Sequence, residues 1–195
     1  MKTVIYLVRH GEVHNPEKIF YGRLPGFGLS ELGKSQAETL AAFLKTRPIA
    51  ALYTSPLERA RQTVEYVVRH FSHLAPIVDE RIIEVGSPLE GRSWEELELK
   101  HWNFYGYREH LQGGGERLSD IWKRMRTFLT EAAKKHRGQE IVAVTHGEPI
   151  MVTHTKYTGK RLRLPIVRQH WVENAQGIRL VFNELGAVEV AKLTF

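Results

Sequence analysis

The chain has 195 residues, of which 42% are hydrophobic and 26% charged, and it carries a formal net charge of +6 at pH 7. This size and balance predict one soluble globular domain spanning residues 1–195, and no apolar run approaches the about 18 residues that a transmembrane helix needs. The absence of cysteine excludes disulfides and thiolate catalysis. Because the basic residues are scattered, the charge favours a small anionic substrate over nucleic acid or a membrane surface. A cytoplasmic location is the default expectation.

The N-terminal residues predict a strand followed by a helix. The apolar, β-branched run at 3–8 is typical of a buried strand, and it ends directly before Arg9 and His10. After a long polar loop, Ser30 is the expected N-cap of a helix from about Glu31 to Lys45. The inward face of this helix is predicted from the four-residue spacing of Leu32, Gln36, Leu40 and Leu44.

A second strand and helix come next. Residues 50–53 predict a short strand. Ser55 as N-cap, Pro56 at the first helical position and Glu58 three residues after the cap predict the start of a helix. Arg59 therefore falls in the first helical turn. The apolar face of this helix is predicted to contain Leu57, Ala60, Val64, Val67, Val68 and Phe71.

The hydrophobic periodicity then breaks down. A strand pattern near Pro76–Val78 leads to Glu84, and residues 86–115 are rich in glycine, aromatic and charged residues. About thirty residues without clean periodicity in a compact domain usually form a lid or a binding insertion, and we expect one here. Its aromatic residues line a pocket for substrate or pack in the core or a subunit interface, and the sequence leaves these alternatives open. They are Trp94, Trp102, Phe104, Tyr105 and Tyr107.

The C-terminal half continues the alternation of helices and strands. A strand is predicted at 141–145, a helix that Pro149 opens ends near Gly159, and a hairpin turns at 183–186. The alternation predicts an α/β fold with a mostly parallel sheet. A long amphipathic helix before these elements is indicated by Ile121, Met125, Phe128, Leu129 and Ala132.

The tripeptide His-Gly-Glu occurs twice, each time directly after a predicted strand. Ligands of α/β proteins bind beyond the carboxyl ends of the strands, so we expect His10 and His146 to lie side by side. Arg9 and Arg59 at the same edge would clamp phosphate oxygens. His10 would attack phosphorus and His146 would stabilise the developing charge. Glu84 is the best-placed carboxylate to protonate a leaving alkoxide.

Four segments, spread over essentially the whole chain, form a specific combination. They are RHGE at 9–12, TSPLERARQT at 54–63, DERIIEVG at 79–86 with EGRSWEEL close behind it, and VTHGEPI at 144–150. Together they resemble the signature of the histidine phosphatase superfamily, whose fold is phosphoglycerate-mutase-like.

The resemblance implies a three-layer α/β/α sandwich and a metal-independent phosphatase that hydrolyses small phosphomonoesters without a cofactor. By position, it implies that His10 is phosphorylated during turnover and that Glu84 donates the proton. The phosphate ligands that it implies are Arg9, Arg59 and His146.

Some positions depart from the family pattern or extend it. Asn15 stands one residue nearer the histidine than the family's asparagine, so it reaches a phosphate only through a shortened loop, and His14 competes for that place. Glu148 occupies a position that is commonly small, and it is expected to be paired, to cap the helix or to face away. Gly22 and Arg23 lie in a glycine-rich loop that approaches the phosphoester or forms an ordinary turn.

Several alternatives stay open. The chain is shorter than the glycolytic mutases of the family, which favours hydrolysis, but a phosphoglycerate-mutase-type phosphotransferase is the alternative enzyme. An inactive family member that acts as a binding module is the alternative outside catalysis. A metal site is disfavoured because no HExxH or HxH spacing occurs. The expected partner is a small phosphorylated metabolite of unknown identity, and the chain leaves open whether it forms a homo-oligomer.

Overall fold

The computed structural model describes residues 1–184 and 186–193. In this part of the chain, six strands form one sheet in the order β3-β2-β4-β1-β5-β6. The strands are β1 (Thr3–Arg9), β2 (Ile49–Thr54), β3 (Ile77–Val78), β4 (Glu140–Thr145), β5 (Gly177–Phe182) and β6 (Val188–Lys192).

The sheet is parallel over its first four strands and antiparallel at one edge. β1 pairs in parallel with β4, and β2 pairs in parallel with both β4 and β3. β5 runs antiparallel to β1, and β6 runs antiparallel to β5. The prediction of a mostly parallel sheet with a C-terminal hairpin is confirmed. Leu185, in the predicted turn of that hairpin, lies outside the described residues.

Helices cover both faces of the sheet. They are α1 (Glu31–Leu44), α2 (Glu58–Val68), α3 (Trp94–Glu98), α4 (Arg108–Gln112), α5 (Leu118–Lys135), α6 (Gly147–Tyr157) and α7 (Leu164–Arg168). Because side chains alternate along a strand, β1 serves both layers. Its even-numbered residues from Val4 to Val8 pack with α1 and α2, whereas Ile5 and Leu7 pack with α5 and α6. The three-layer sandwich is therefore confirmed.

Helix α1 begins as predicted, but its inward face is rotated. The hydroxyl of Ser30 accepts a hydrogen bond from the backbone N–H of Gly33 and caps the helix. The predicted inward position of Leu32 is wrong, since this side chain is 54% exposed. The cause is Gly33, where a Cβ would stand 2.0 Å from the carbonyl oxygen of Glu12. The helix lies on its small residues, and Leu32 is turned outwards.

Helix α2 begins later than predicted. Its N-cap is Leu57, without a side-chain hydrogen bond, so the predicted capping box at Ser55 is wrong. The backbone N–H of Ser55 donates to the carbonyl of Val144, which extends the pairing of β2 with β4 by one residue. Ser55 is therefore tied to the sheet and does not open the helix. Arg59 nevertheless lies in the first turn, as predicted.

Residues 86–115 contain the short helices α3 and α4 and a 3₁₀ turn at Phe104–Gly106. The ring of Phe104 is buried and packs against Phe20, with 5.5 Å between ring centroids. The segment thus has a small apolar core of its own that joins the main one. A covering role for it over a binding site stays a prediction.

Candidate active site

The carboxyl ends of β1, β2 and β4 bring two histidines and a serine together. In the strand register, Arg9 lies opposite Thr145 and Thr54 lies opposite Val144, so the next residue of each strand enters the same crevice. These residues are His10, Ser55 and His146, and all three are buried. The ring centroids of the two histidines are 5.1 Å apart.

The His10 ring is fixed by a hydrogen bond at each nitrogen. Its Nδ1 lies 2.7 Å from the carbonyl oxygen of Gly11, and its Nε2 lies 3.2 Å from the Nε–H of Arg59. Because a carbonyl only accepts and a guanidinium only donates, Nδ1 carries the proton and Nε2 keeps its lone pair. Burial, followed by the charges of Arg59 and Arg9, holds the pKa of His10 well below its usual range. The ring is therefore neutral near pH 7, with Nε2 available as a nucleophile.

Arg59 is almost completely buried beside His10. Its Nη2 donates to the carbonyl of Gly22 at 2.7 Å, and its guanidinium lies over the ring of Tyr21, 4.8 Å from the centroid. Burial lowers the pKa of Arg59. The ordinary pKa of an arginine is so high, however, that the side chain keeps its charge. A fixed positive charge thus stands directly against the Nε2 atom of His10.

Arg9 supplies a second guanidinium to the crevice. Its Nη1 donates to the carbonyl of Val172 at 2.9 Å, and its guanidinium lies 4.7 Å from the ring centroid of Trp171. Within the described residues, its buried Nε has no hydrogen-bond partner. A buried donor without a partner is costly, which indicates that a ligand with acceptor oxygens completes the site.

His146 contacts Ser55 through one nitrogen and faces Glu84 through the other. Its Nε2 is 2.7 Å from the Ser55 hydroxyl, and its Nδ1 is 4.0 Å from a carboxylate oxygen of Glu84. That Nδ1 is buried without a partner among the residues described. Burial first, and then Arg59 and His10, hold the pKa of His146 well below its usual range. A bound dianion would offset the positive field and favour the protonated ring.

Two carboxyl groups near the histidines are held toward their protonated forms. Burial raises the pKa of Glu84 against the opposing effects of a hydrogen bond from the Val85 N–H and the charge of Arg59. Burial and then the negative charge of Glu84 raise the pKa of Glu148 to about 8. A raised pKa favours the protonated form of each group, and the two carboxyl groups titrate as a coupled pair. Glu148, whose role the sequence left open, is a second acidic group near Glu84.

Three of the predicted substrate contacts have other partners in the structure. The Asn15 amide donates to the Ile19 carbonyl at 2.9 Å and accepts from the Ile19 N–H at 3.2 Å, which closes its own loop. Gly22 offers its carbonyl to Arg59. The Arg23 guanidinium donates to the carbonyl of Glu84 at 2.8 Å. A direct contact of these residues with phosphate stays a prediction.

Sequence reasoning missed several residues that position the site. Ser55 was assigned to a helix cap, although its place after a strand is the signal that identified both histidines. Trp171 under Arg9 follows no recognisable motif. Asn174, whose amide donates to the carbonyl of His10 at 3.2 Å, likewise had no signal, because its contact spans 164 residues of sequence.

Within residues 1–184 and 186–193, no group of three or more His, Cys, Asp or Glu side chains is arranged to hold a metal ion. No helix in this part of the chain is long and apolar enough to cross a membrane.

Comparisons with known proteins agree with this geometry. A model of the histidine phosphatase superfamily (branch 1) matches residues 5–192. Phosphoserine phosphatase 1 of Hydrogenobacter thermophilus is 32% identical, covering 80% of this chain and 76% of that protein. The metal-independent phosphoserine phosphatase of Arabidopsis thaliana is also 32% identical, covering 80% of this chain and 69% of that protein. Among solved structures, YhfR of Bacillus stearothermophilus superposes with a TM-score of 0.83 at 26% identity, covering 97% of this chain and 96% of that one.

Proposed function

The chain belongs to the histidine phosphatase superfamily, and we propose that it hydrolyses small phosphomonoesters without a metal, through a phosphohistidine on His10. The observation that carries this proposal is the Nε2 lone pair of His10. It is held in a fixed tautomer between the hydrogen bonds to Gly11 and Arg59. The tautomer is set before the substrate arrives, and attack then requires only that the Arg59 N–H leave Nε2 for an oxygen of the bound phosphate.

The phosphate group of the substrate would bind at the donors that lack a protein partner. Arg9 Nε and His146 Nδ1 are buried without partners among the described residues, and Arg59 adds a third positive group. A phosphate dianion accepts charge-assisted hydrogen bonds from such groups and raises the pKa of His146. Binding would therefore charge the ring that stabilises the transition state.

In the first chemical step, Nε2 of His10 attacks phosphorus and the bond from phosphorus to the leaving oxygen breaks. Glu84 gives its proton to that oxygen, so the alcohol departs neutral and Glu84 becomes a carboxylate. The raised pKa of Glu84 favours the protonated form that this step requires.

In the second step, water attacks the phosphohistidine. The Glu84 carboxylate accepts a proton from the water as the new oxygen–phosphorus bond forms and the bond from phosphorus to Nε2 breaks. Inorganic phosphate leaves, and both His10 and Glu84 return to their starting states. The same carboxyl group thus acts as acid and then as base.

Phosphoserine is the first substrate to test, because the names of two relatives specify it. The wider substrate class is the small phosphomonoesters, which the net positive charge of the chain suits. A small phosphorylated metabolite is accordingly the partner that we propose, in preference to nucleic acid or a membrane.

Steady-state hydrolysis of a panel of phosphorylated metabolites tests the proposal. We expect turnover that persists in EDTA and is abolished in His10→Ala. His73→Ala is a matched control, because His73 is an exposed histidine in the loop after α2. Equal activity of His10→Ala and the wild-type protein would refute the assignment of the nucleophile, and activity that EDTA abolishes would refute metal independence.

A further inference from the structure

Three charged side chains outside the phosphate-binding crevice converge on the main chain of Glu84. The carbonyl oxygen of Glu84 accepts hydrogen bonds from Arg23 Nε at 2.8 Å and from Arg124 Nη2 at 3.2 Å. Glu116 joins the two arginines, since one of its carboxylate oxygens is 2.7 Å from Arg23 Nη2 and the other is 2.9 Å from Arg124 Nε. The side chains of Glu116 and Arg124 are only 20% and 14% exposed, so solvent screens this pair weakly.

The Glu116 carboxylate also closes the base of residues 86–115. The backbone N–H of Gly86 donates to its Oε2 at 2.9 Å, and the backbone N–H of Glu116 donates to the carbonyl of Gly86 at 2.9 Å. A Cβ on Gly86 would stand 3.0 Å from Cζ of Arg23. Glycine at this position therefore allows the guanidinium to approach. The Glu116 carboxylate thus holds Gly86 at the start of the segment. Its two arginine partners hold the main chain of Glu84, two residues earlier.

The cluster also sets part of the electrostatic field at the Glu84 carboxyl group. The charge of Arg124 lowers the pKa of Glu84 and so opposes the effect of burial. The negative charge of Glu116 lies between Arg124 and Arg23 and offsets part of their positive charge. Other charged or titratable groups near Glu84 are Arg9, Arg59, His146 and Glu148, together with Tyr21 and Tyr105.

We propose that Glu116 is a positioning residue for the proton donor Glu84. It holds the two arginines that fix the Glu84 main chain, and its negative charge lies between theirs. The inference rests on the proposed function, because it requires Glu84 to be the donor.

The test compares Glu116→Gln with the wild-type protein on two esters. For phosphoserine, whose alkoxide must be protonated, kcat/KM should fall about 10- to 100-fold, since a displacement of about 1 Å at a reacting group has effects of that size. For p-nitrophenyl phosphate, which leaves without a proton, kcat/KM should stay within about threefold, because it reports only the steps up to release of the alcohol. Glu109→Gln is the matched control, because Glu109 lies in the same segment and pairs with Arg92 at the surface. It should leave both rates unchanged.

The pH profile separates this role from a merely structural one. Without the Glu116 charge, Arg23 and Arg124 favour the ionised form of Glu84, so the alkaline limb of kcat for phosphoserine should move to lower pH. Glu116→Asp keeps the charge on a shorter side chain, so it should lose rate but keep the wild-type limb. It also provides the measurement if the glutamine variant does not fold.

A double-mutant cycle completes the test. In a Glu84→Gln background, Glu116→Gln should have no further selective effect on phosphoserine, because the donor is already absent. Equal losses with both esters, an unmoved alkaline limb or full additivity in the cycle would overturn the positioning role while leaving the proposed function intact. Failure of the wild-type protein to hydrolyse either ester would instead refute the proposed function, and this inference with it.

Discussion

We expect Glu148 to cause a loss of stability as the pH rises from about 5 to about 9. Replacing Glu148 with Gln should remove that loss. Burial and the neighbouring charge of Glu84 raise the pKa of Glu148 from 4.5 to about 8 in the folded protein. Between these values the folded chain holds a proton that the unfolded chain has released. The free energy of unfolding therefore decreases as the pH rises through this window.

The difference between the two pKa values corresponds to about 5 kcal/mol once the pH exceeds 8. This is an upper limit, because Glu84 and Glu148 share one electrostatic environment and titrate as a pair. For a chain of this length, each kcal/mol changes Tm by about 2–4 °C, so the Glu148 contribution lowers Tm by at most about 10–20 °C between pH 5 and pH 9, measured as the difference between the wild-type and Glu148→Gln curves. Below about pH 6.5, the lowered pKa values of His10, His146 and His154 act in the opposite direction, and stability should fall with falling pH.

Chemical and thermal unfolding at several pH values measures both effects. Glu148→Gln should match the wild-type protein near pH 5 and be more stable above pH 8, since glutamine cannot ionise. Glu65→Gln, at an exposed carboxylate on α2, is the control and should follow the wild-type curve. Parallel curves for Glu148→Gln and the wild-type protein from pH 5 to pH 9 would refute the raised pKa of Glu148.

Other substitutions test separate parts of the site. Glu84→Gln should reduce kcat/KM, which reports the phosphorylation step, by roughly a hundredfold for alkyl phosphates and far less for aryl phosphates, and equal losses with both leaving groups would exclude it as the donor. Ser55→Ala removes the 2.7 Å contact to His146. It should reduce kcat by about 10-fold or more, since a hydrogen bond to a charged group contributes about 1.5–3 kcal/mol. An unchanged kcat would contradict a role of Ser55 in orienting the His146 ring. Trp102→Ala and Tyr105→Ala should change the ranking of substrates in a metabolite panel while inhibition by inorganic phosphate stays within about threefold, under 1 kcal/mol. An unchanged ranking would assign these rings to the fold alone.

The sequence predicts those parts of the site that depend on strand ends. His10 and His146 follow buried apolar runs, and a parallel sheet places the ends of such strands at one edge. Arg59 follows from the same rule, because its helix begins just after β2. For these residues, local pattern and general topology are enough to predict that the two rings lie side by side, and the structure places their centroids 5.1 Å apart.

The remaining features depend on contacts between distant residues. Ser55 followed by Pro56 is compatible with a helix cap or with a strand extension, and only the pairing with Val144 decides between them. The position of Leu32 was wrong because Gly33 approaches a neighbouring backbone, which helical periodicity does not encode. The partners of Arg23 lie 61 and 93 residues away, so no local pattern could reveal them.

The most direct measurement of the central claim is the position of the phosphoryl group on the trapped enzyme. Rapid acid-free quenching after mixing with a radiolabelled phosphomonoester, followed by phosphorus NMR and peptide mapping, identifies the phosphorylated residue and its nitrogen. Because the carbonyl of Gly11 binds the protonated Nδ1, we expect an acid-labile phosphohistidine at Nε2 of His10 that forms and decays as fast as turnover. Label on another residue, label at Nδ1, or turnover without any phosphoenzyme would contradict the proposed mechanism.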